Sequence, residues 1–353
     1  MEHTHPKDDP VAVIGLGLMG RSIIACLLAS GHRVIGVTRD VSGRTATRDE
    51  VRALLEQMKA ERVLGHDPAD LASRLEVTSD YGAIAGCPVV IESIIEDLDA
   101  KKDALQRIEA SVGADAIIGS NTSAIPVSQL QQCLSRPERL LGIHWAEPAH
   151  ITRFMEIICG ERTAPEFAER AAALARRWGK EPTMVRKDIR GFITNRIMYA
   201  MIREAFFLVE NGYATPADVD RSVRNDLGWW ITFAGPFRFM DLTGIPAYAA
   251  VMKDLLPELD CSKEVPPLMR RIVESGARGV QNASGFYPYT RESAERWEAL
   301  FLKFSYDIRA LAQKYPEDVG DRPRSGSEED LSPVHPVEDQ PLDGQHDDGV
   351  DQR

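Results

Sequence analysis

No apolar run approaches the roughly 18 residues that a membrane-spanning helix needs, which argues against a membrane protein. Residues 1–10 hold no apolar segment of the kind that drives secretion, so no signal peptide is expected. Cysteine is sparse. Cys26, Cys87, Cys133, Cys159 and Cys261 make five, an odd number without a CxxC pair. Three of them sit in apolar or helical surroundings, as buried thiols do, and the simple reading is a reducing compartment, the cytoplasm. His3 and His5 read as part of a polar terminus, and no metal site is expected. A basic stripe is missing too. The net charge is −12, yet residues 316–353 carry twelve acidic residues against three arginines, which leaves −3 on the rest. That tail is rich in Pro, Gly, Ser, Gln and Asp and has no aromatic residue. It is expected to be disordered, and nucleic acid is not an expected partner.

What is present is ordinary in bulk and specific in places. At 353 residues, with 43% hydrophobic and 27% charged, the chain is long enough for two soluble domains, each with a core. The apolar run Val11–Ile14 ends at Gly15. Leu16, Gly17, Leu18, Met19 and Gly20 follow and open a helical stretch to Ser30, so GxGxxG stands after a strand and before a helix. Gly15 permits the tight turn, Gly17 lets backbone approach a pyrophosphate, and Gly20 lets helix and strand pack closely. An ordinary glycine-rich turn is the alternative; the second strand at Arg33–Thr38 weighs against it. At the end of that strand a carboxylate suits a ribose 2′-hydroxyl, and arginine with a small hydroxyl suits a 2′-phosphate. Thr38 and Arg39 stand there, with Asp40 two places late, so NAD and NADP both stay open. Arg39 stacking on the adenine is a third option.

Strand-like runs recur at Leu75–Thr78, Val89–Glu92, Ala116–Ser120, Leu140–His144, Phe154–Ile158 and Thr183–Val185. Helical segments alternate with them: Glu50–Leu64, Asp99–Val112 and Ala164–Trp178. This pattern predicts a doubly wound α/β sheet, with ligands at the C-terminal ends of its strands. Ser120–Ser123 and His144 fall at such ends. Histidine takes and returns a proton near neutral pH, and Glu156, twelve residues on, is suited to fix its tautomer. Ser123, Asn121 and Asn195 add neutral donors able to hold a substrate oxygen. A satisfied histidine at a strand end is the bland reading of His144.

In order along the chain stand Gly15–Gly20, Glu92-Ser-Ile-Ile-Glu96 with Lys101, Ser120-Asn-Thr-Ser123, Gly142-Ile-His144, Glu156, Gly191-Phe-Ile-Thr-Asn195-Arg196, Gly235-Pro236-Phe237 and Gly285-Phe-Tyr-Pro-Tyr289. By these motifs residues 11 to about 314 resemble the 3-hydroxyacyl-CoA dehydrogenase family, which includes CoA-independent relatives acting on L-gulonate and carnitine. The resemblance implies an N-terminal Rossmann-type doubly wound sheet over 11–188 and an all-α substrate and dimerisation domain over 189–314. Residues 1–10 and 315–353 are left as termini. It implies His144 as general base, Glu156 orienting it, and Ser123 and Asn195 on the reacting oxygens. Gly15, Gly17, Leu18, Met19, Gly20, Thr38, Arg39 and Asn121 would border the cofactor, with Glu96 and Lys101 near the nicotinamide and its ribose. The partners implied are a hydroxyacyl or hydroxy-acid substrate, in the family's usual setting of fatty acid metabolism, and a second copy of the chain. Acyl-CoA is the default substrate.

Three departures bear on that substrate. Where the family has Asn-Pro after the histidine, this chain has Glu147-Pro148. The helix after the second strand offers only Arg48, Arg52, Lys59 and Arg62 to CoA phosphates. The stretch Leu227–Pro236 is longer than in the CoA enzymes, and Trp229 and Trp230 in it become candidate substrate contacts beside Glu147. Beyond Gly191 helices are expected at Phe192–Glu210, Pro216–Asp226, Phe237–Leu242, Ile245–Leu255, Pro266–Ser275 and Arg291–Lys314. Ile193, Ile197, Ala200, Met201, Ala205 and Leu208 read as an inward face of the first. Trp297 and Tyr306 read as helix packing.

Overall fold

The computed structural model describes residues 9–315, so the expectations for residues 1–8 and 316–353 lie outside them. The chain divides into two units, residues 1–312 and 313–353, and the first is described below. Its elements are β1 (Val11–Ile14), α1 (Leu18–Ala29), β2 (Val34–Val37), α2 (Arg44–Ala60), α3 (Pro68–Ser73), β3 (Leu75–Thr78), β4 (Val89–Glu92) and α4 (Leu98–Ser111). Next come β5 (Ile117–Ser120), α5 (Val127–Gln131), β6 (Leu140–Trp145), β7 (Phe154–Cys159), α6 (Pro165–Arg177) and β8 (Glu181–Val185). The remainder is helical: α7 (Thr194–Glu210), α8 (Pro216–Asn225), α9 (Leu227–Ile231), α10 (Pro236–Thr243), α11 (Ile245–Leu255), α12 (Pro267–Glu274) and α13 (Arg291–Ala312).

The eight strands form one sheet in the order β3-β2-β1-β4-β5-β6-β7-β8. β1 to β6 pair in parallel; β1, β2, β4, β5 and β6 are buried throughout, as helix-covered parallel strands require, whereas the edge strand β3 alternates buried Leu75 and Val77 with half-buried Glu76 and Thr78. Side chains alternate across the sheet. Val11 and Val13 of β1 join the core under α1, α2 and α6, whereas Ala12 and Ile14 join the core under α4 and α5. β7 then runs antiparallel to β6, and β8 parallel to β7. The sheet is Rossmann-type and mostly parallel. Its reversal at β7 sets His144 directly opposite Glu156.

Local chemistry accounts for the element ends. α2 begins at Arg44, six residues before the expected Glu50, because Arg44–Asp49 is helix-permissive without carrying an apolar stripe. α3 was not expected. Asp67 caps it by accepting the Ala69 and Asp70 amides, with Pro68 in its first turn. Thr215 caps α8 ahead of Pro216 as expected, and Asp218 completes a capping box.

The helical half corrects two expectations. Ile193, Ile197, Ala200 and Met201 do not face inward; they are exposed, and α7 has no buried residue. Within one chain that helix meets too little to cover its apolar stripe. α13 does return to the sheet unit, where Tyr306 is buried and its hydroxyl meets Gln57 Oε1 at 3.2 Å. Trp297 on the same helix is exposed, contrary to its expected packing role. No described helix is long and apolar enough to cross a membrane.

Candidate active site

Two of the three glycines after β1 stand where the backbone leaves no room for a side chain. Gly15 has φ +95°, and a Cβ there would lie 2.5 Å from the Ser93 carbonyl oxygen. A Cβ on Gly20 would lie 1.9 Å from the Gly15 carbonyl oxygen, whereas Gly17 faces open space. Gly17 is the N-cap of α1 and no side chain caps that helix, so its first amides are free for an anion. A cleft of about 1250 Å³ opens here, lined by Gly15, Gly17, Leu18 and Met19. These residues fit the pyrophosphate of a dinucleotide.

Thr38 and Arg39 line the far end of the cleft, together with Tyr81 and Arg107. The Arg107 guanidinium lies 4.0 Å from the centre of the Tyr81 ring. Asp40 is turned away: its carboxylate accepts the Ser42 amide at 2.8 Å, and the Ser42 hydroxyl and amide hold it below the usual carboxylate range. The end of β2 therefore presents Thr38 and Arg39 to the cleft, not an acid. Tyr81 and Arg107 belong to no motif, and sequence reading missed them.

The antiparallel β6–β7 pair brings His144 and Glu156 together beside Ser123. His144 Nδ1 lies 2.9 Å from Glu156 Oε2, and His144 Nε2 lies 3.1 Å from Ser123 Oγ. The other oxygen of Glu156 accepts the Ile193 and Thr194 amides at 3.1 and 3.0 Å, so the carboxylate also caps the start of α7. Burial pushes the Glu156 carboxyl up, but the bonds from His144, Thr194 and Ile193 outweigh it and hold the group below its usual range. An ionised Glu156 can only accept, so Nδ1 must donate to it, which leaves Nε2 as the acceptor. Phe154 and Phe192 pack edge-on to the imidazole, with ring centres 5.5 and 5.6 Å away. Phe192 has φ +51° beside Gly191 at +82°, an unusual pair for which the turn into α7 is responsible. His144 is buried behind the cleft wall, where Ser123 is the lining residue.

A second network fixes the loop that carries Ser123. Glu96 Oε1 accepts the Thr122 hydroxyl at 2.6 Å and the Ser123 and Ala124 amides, each at 2.9 Å. Burial raises the Glu96 carboxyl, yet these bonds and the Lys101 charge hold it low. Lys101, expected near the nicotinamide, is fully buried, 2.8 Å from Glu92 and 3.5 Å from the cleft-lining Glu96. Asn121 lines the cleft; its amide nitrogen meets Ser93 Oγ at 3.1 Å and its oxygen accepts the Trp145 amide at 3.0 Å. Asn195 Nδ2 lies 3.4 Å from the Ser123 carbonyl, at the edge of the centre. Glu147 lines the cleft. Trp229 and Trp230 do not: Trp229 is 77% exposed, and Trp230 stacks on Phe239 at 4.1 Å. Their place in α9 removes them from the cleft of their own chain.

Sequence reading also missed the polar cluster behind the loop that follows His144. His150 Nδ1 meets Ser22 Oγ at 2.9 Å and its Nε2 meets Gln57 Oε1 at 3.1 Å, and burial lowers its pKa to about 4. Buried Lys180 donates to the Ala149 and Thr152 carbonyls, and Arg309 donates to that of Ile151. Nothing in their spacing announces these contacts. Among the described residues no group of three or more His, Cys, Asp or Glu could hold a metal ion.

Comparison with known proteins identifies the family of the chain. Residues 10–189 match the family model of the 3-hydroxyacyl-CoA dehydrogenase NAD binding domain, and residues 191–289 match that of the C-terminal domain. The 5-formyl-3-hydroxy-2-methylpyridine 4-carboxylate 5-dehydrogenase of Mesorhizobium japonicum is 35% identical over 294 residues, 82% of this chain and 93% of the relative. A solved structure of an enzyme of that name, described as an NAD+ dependent dismutase, superposes with TM-score 0.80 at 30% identity, covering 87% of this chain and 99% of the other. The (S)-3-hydroxybutyryl-CoA dehydrogenase of Ralstonia eutropha superposes with TM-score 0.66 at 30% identity, covering 80% and 99%. The chain belongs to the 3-hydroxyacyl-CoA dehydrogenase family, whose members are NAD-dependent oxidoreductases of CH–OH groups.

Proposed function

We propose that this chain interconverts the alcohol and carbonyl forms of a small CoA-free hydroxy compound, with His144 as general base. The observation that carries the reading is His144 held between an ionised Glu156 and the cleft-lining Ser123. Bound NAD supplies the hydride acceptor. His144 Nε2 receives the hydroxyl proton, and Glu156 stabilises the imidazolium that results. The Ser123 hydroxyl and the Asn195 amide donate to the reacting oxygen. Proton transfer of this kind contributes roughly 10²–10⁴-fold. A hydrated aldehyde presents the same CH–OH, which brings the formyl-pyridine chemistry named for the relative within reach of the same residues.

The CoA-free reading rests on cations that are occupied or misplaced. Arg52 pairs with Glu56 at 2.8 Å and Lys59 donates to the Gly65 carbonyl at 3.2 Å. Arg48 borders a separate hollow with Arg33 and Arg74, and none of Arg48, Arg52, Lys59 and Arg62 lines the main cleft. The family default, a 3-hydroxyacyl-CoA, is the second reading, favoured by the match to hydroxybutyryl-CoA dehydrogenases. NADH absorbance assays over acetoacetyl-CoA, L-gulonate, carnitine and pyridine alcohols separate the two. Preferred turnover of the thioester overturns the first. His144→Ala is expected to lower kcat at least about 10²-fold while NADH affinity stays nearly intact. Substantial residual kcat removes the base assignment.

The protein is proposed to act as a homodimer. From Thr194 to Ala312 only Ala234, Ala294 and Tyr306 are buried hydrophobic residues, while Phe237 and Tyr213 are 80% and 72% exposed. So long a helical stretch without a core of its own needs apolar cover, and a second copy offers the same surface in return.

A further inference from the structure

Glu147 is the residue of the cleft that the hydride chemistry does not use. It stands two residues beyond β6 and lines the cleft together with Ser123, Asn121 and Trp145. It forms no ion pair among the described residues, and its stabilising bond comes from the Ala149 amide. Its side chain is exposed to the cleft, and the atoms of the cleft wall still push its carboxyl up from the usual range. The loop around it is also fixed in place. The amides of Ile151 and Thr152 both donate to the Pro148 carbonyl at 3.0 Å, and the Thr152 hydroxyl donates to that of Ala146 at 3.2 Å. Lys180, the buried cation of this region, spends its donors on the Ala149 and Thr152 carbonyls and does not neutralise Glu147. Beside it the indole N–H of Trp145, a cleft-lining side chain 2% exposed, has no hydrogen-bond partner. The cleft thus offers a negatively charged hydrogen-bond acceptor on a hydrogen-bonded loop, with no cation of the described residues paired to it.

We propose that Glu147 is a specificity-determining residue that takes a cationic or hydrogen-bond-donating group of the substrate and turns away substrates with a carboxylate in that place. The inference rests on the reading that the hydroxyl reacts at His144, because Glu147 follows that histidine by three residues on the same sheet edge. A fixed cation and an N–H or O–H donor satisfy the same carboxylate. They differ in that the first gains only from charge and the second also from a directed bond. A thioester chain carries neither.

The test compares the wild type with Glu147→Gln and Glu147→Ala. Binding of carnitine (a fixed cation), L-gulonate (hydroxyl donors), 3-hydroxybutyrate (neither) and 3-hydroxyglutarate (an added carboxylate) to the NADH complex is measured by calorimetry. The wild type is expected to favour carnitine or gulonate over 3-hydroxyglutarate. Glu147→Gln should shrink that preference about ten- to hundredfold, the range for one charge-assisted hydrogen bond. Loss of carnitine alone identifies a cation site, and a fall confined to gulonate identifies a donor site; either supports the proposal. It is overturned if the wild type shows no such preference, if the variants change all four ligands alike, or if only NADH affinity moves, which would place Glu147 on the cofactor. Because binding is read without turnover, selectivity that follows Glu147 in a protein whose His144→Ala variant keeps full kcat would overturn the base assignment and leave the role of Glu147 standing.

Discussion

At the scale of single residues the centre is a chain of obligations. Glu156 must accept from three donors, so it stays ionised and forces the tautomer of His144. Glu156→Gln replaces one acceptor oxygen by an NH₂ and removes the charge that stabilises the imidazolium. A kcat loss of about 10²-fold or more with NADH affinity retained is expected, read by steady-state kinetics and fluorescence titration. The sign of the pH effect follows from the lowered carboxyl. The contribution of Glu156 to stability is complete above the ordinary value of 4.5 and is lost only as pH falls through its lower folded value. His150 acts in a higher window. Its folded pKa of about 4 lies below its ordinary 6.5, so between these the unfolded chain binds the extra proton and stability falls with falling pH. Urea unfolding from pH 6.5 to 4 should show a loss of at most about 3 kcal/mol that His150→Asn removes. The grouping of His144, Glu156 and Ser123 was legible in the sequence because few residue types suit the proton transfer proposed for it. The roles of His150 and Lys180 were not, since their partners lie far off in the chain.

At the scale of elements, the parts dictated by backbone sterics were the most legible. The βα turn at Gly15–Gly20 is one: Gly20→Ala would set a Cβ against the Gly15 carbonyl and push the α1 N-terminus away from its anion. NADH affinity is expected to fall more than about tenfold, with a stability loss of about 1–3 kcal/mol, measured by titration and urea unfolding. β3 and β4 keep the bounds their apolar runs predicted, Leu75–Thr78 and Val89–Glu92. The reversal of β7 was hidden, because Phe154–Cys159 reads the same in either direction. Yet that reversal explains why twelve positions separate His144 from Glu156 and why the two meet. α2 and α3 show the converse. Surface helices are held by caps and permissive residues more than by periodicity, so their starts escape a search for apolar stripes.

For the whole molecule, the sheet half is self-sufficient and the helical half is not. Val11, Ile23, Leu27 and Ile91 are all but inaccessible, whereas Trp229, Phe237, Phe301 and Phe304 lie open along the helices. The homodimer reading therefore makes a quantitative demand: a mass of twice 39.2 kDa by light scattering at micromolar concentration. A monodisperse monomer there would refute it. Phe237→Glu is expected to weaken association if that side chain lies in the shared surface, read as a concentration-dependent shift in sedimentation. The stripe on α7 was visible in the sequence as periodicity. What covers it was not, because periodicity records that a face is apolar and carries nothing about which chain meets it.

The bond between Glu156 and the first amides of α7 has a consequence for assembly. The nucleotide cleft is complete by Glu147, but the orientation of His144 waits on backbone that the ribosome has yet to deliver, at Ile193 and Thr194. A chain cut before that turn is expected to hold NADH and to lack an aligned base. On the proposed mechanism, competence to react is expected to wait until the second half has folded onto the first, and a half-made or clipped copy is expected to bind nucleotide without turnover.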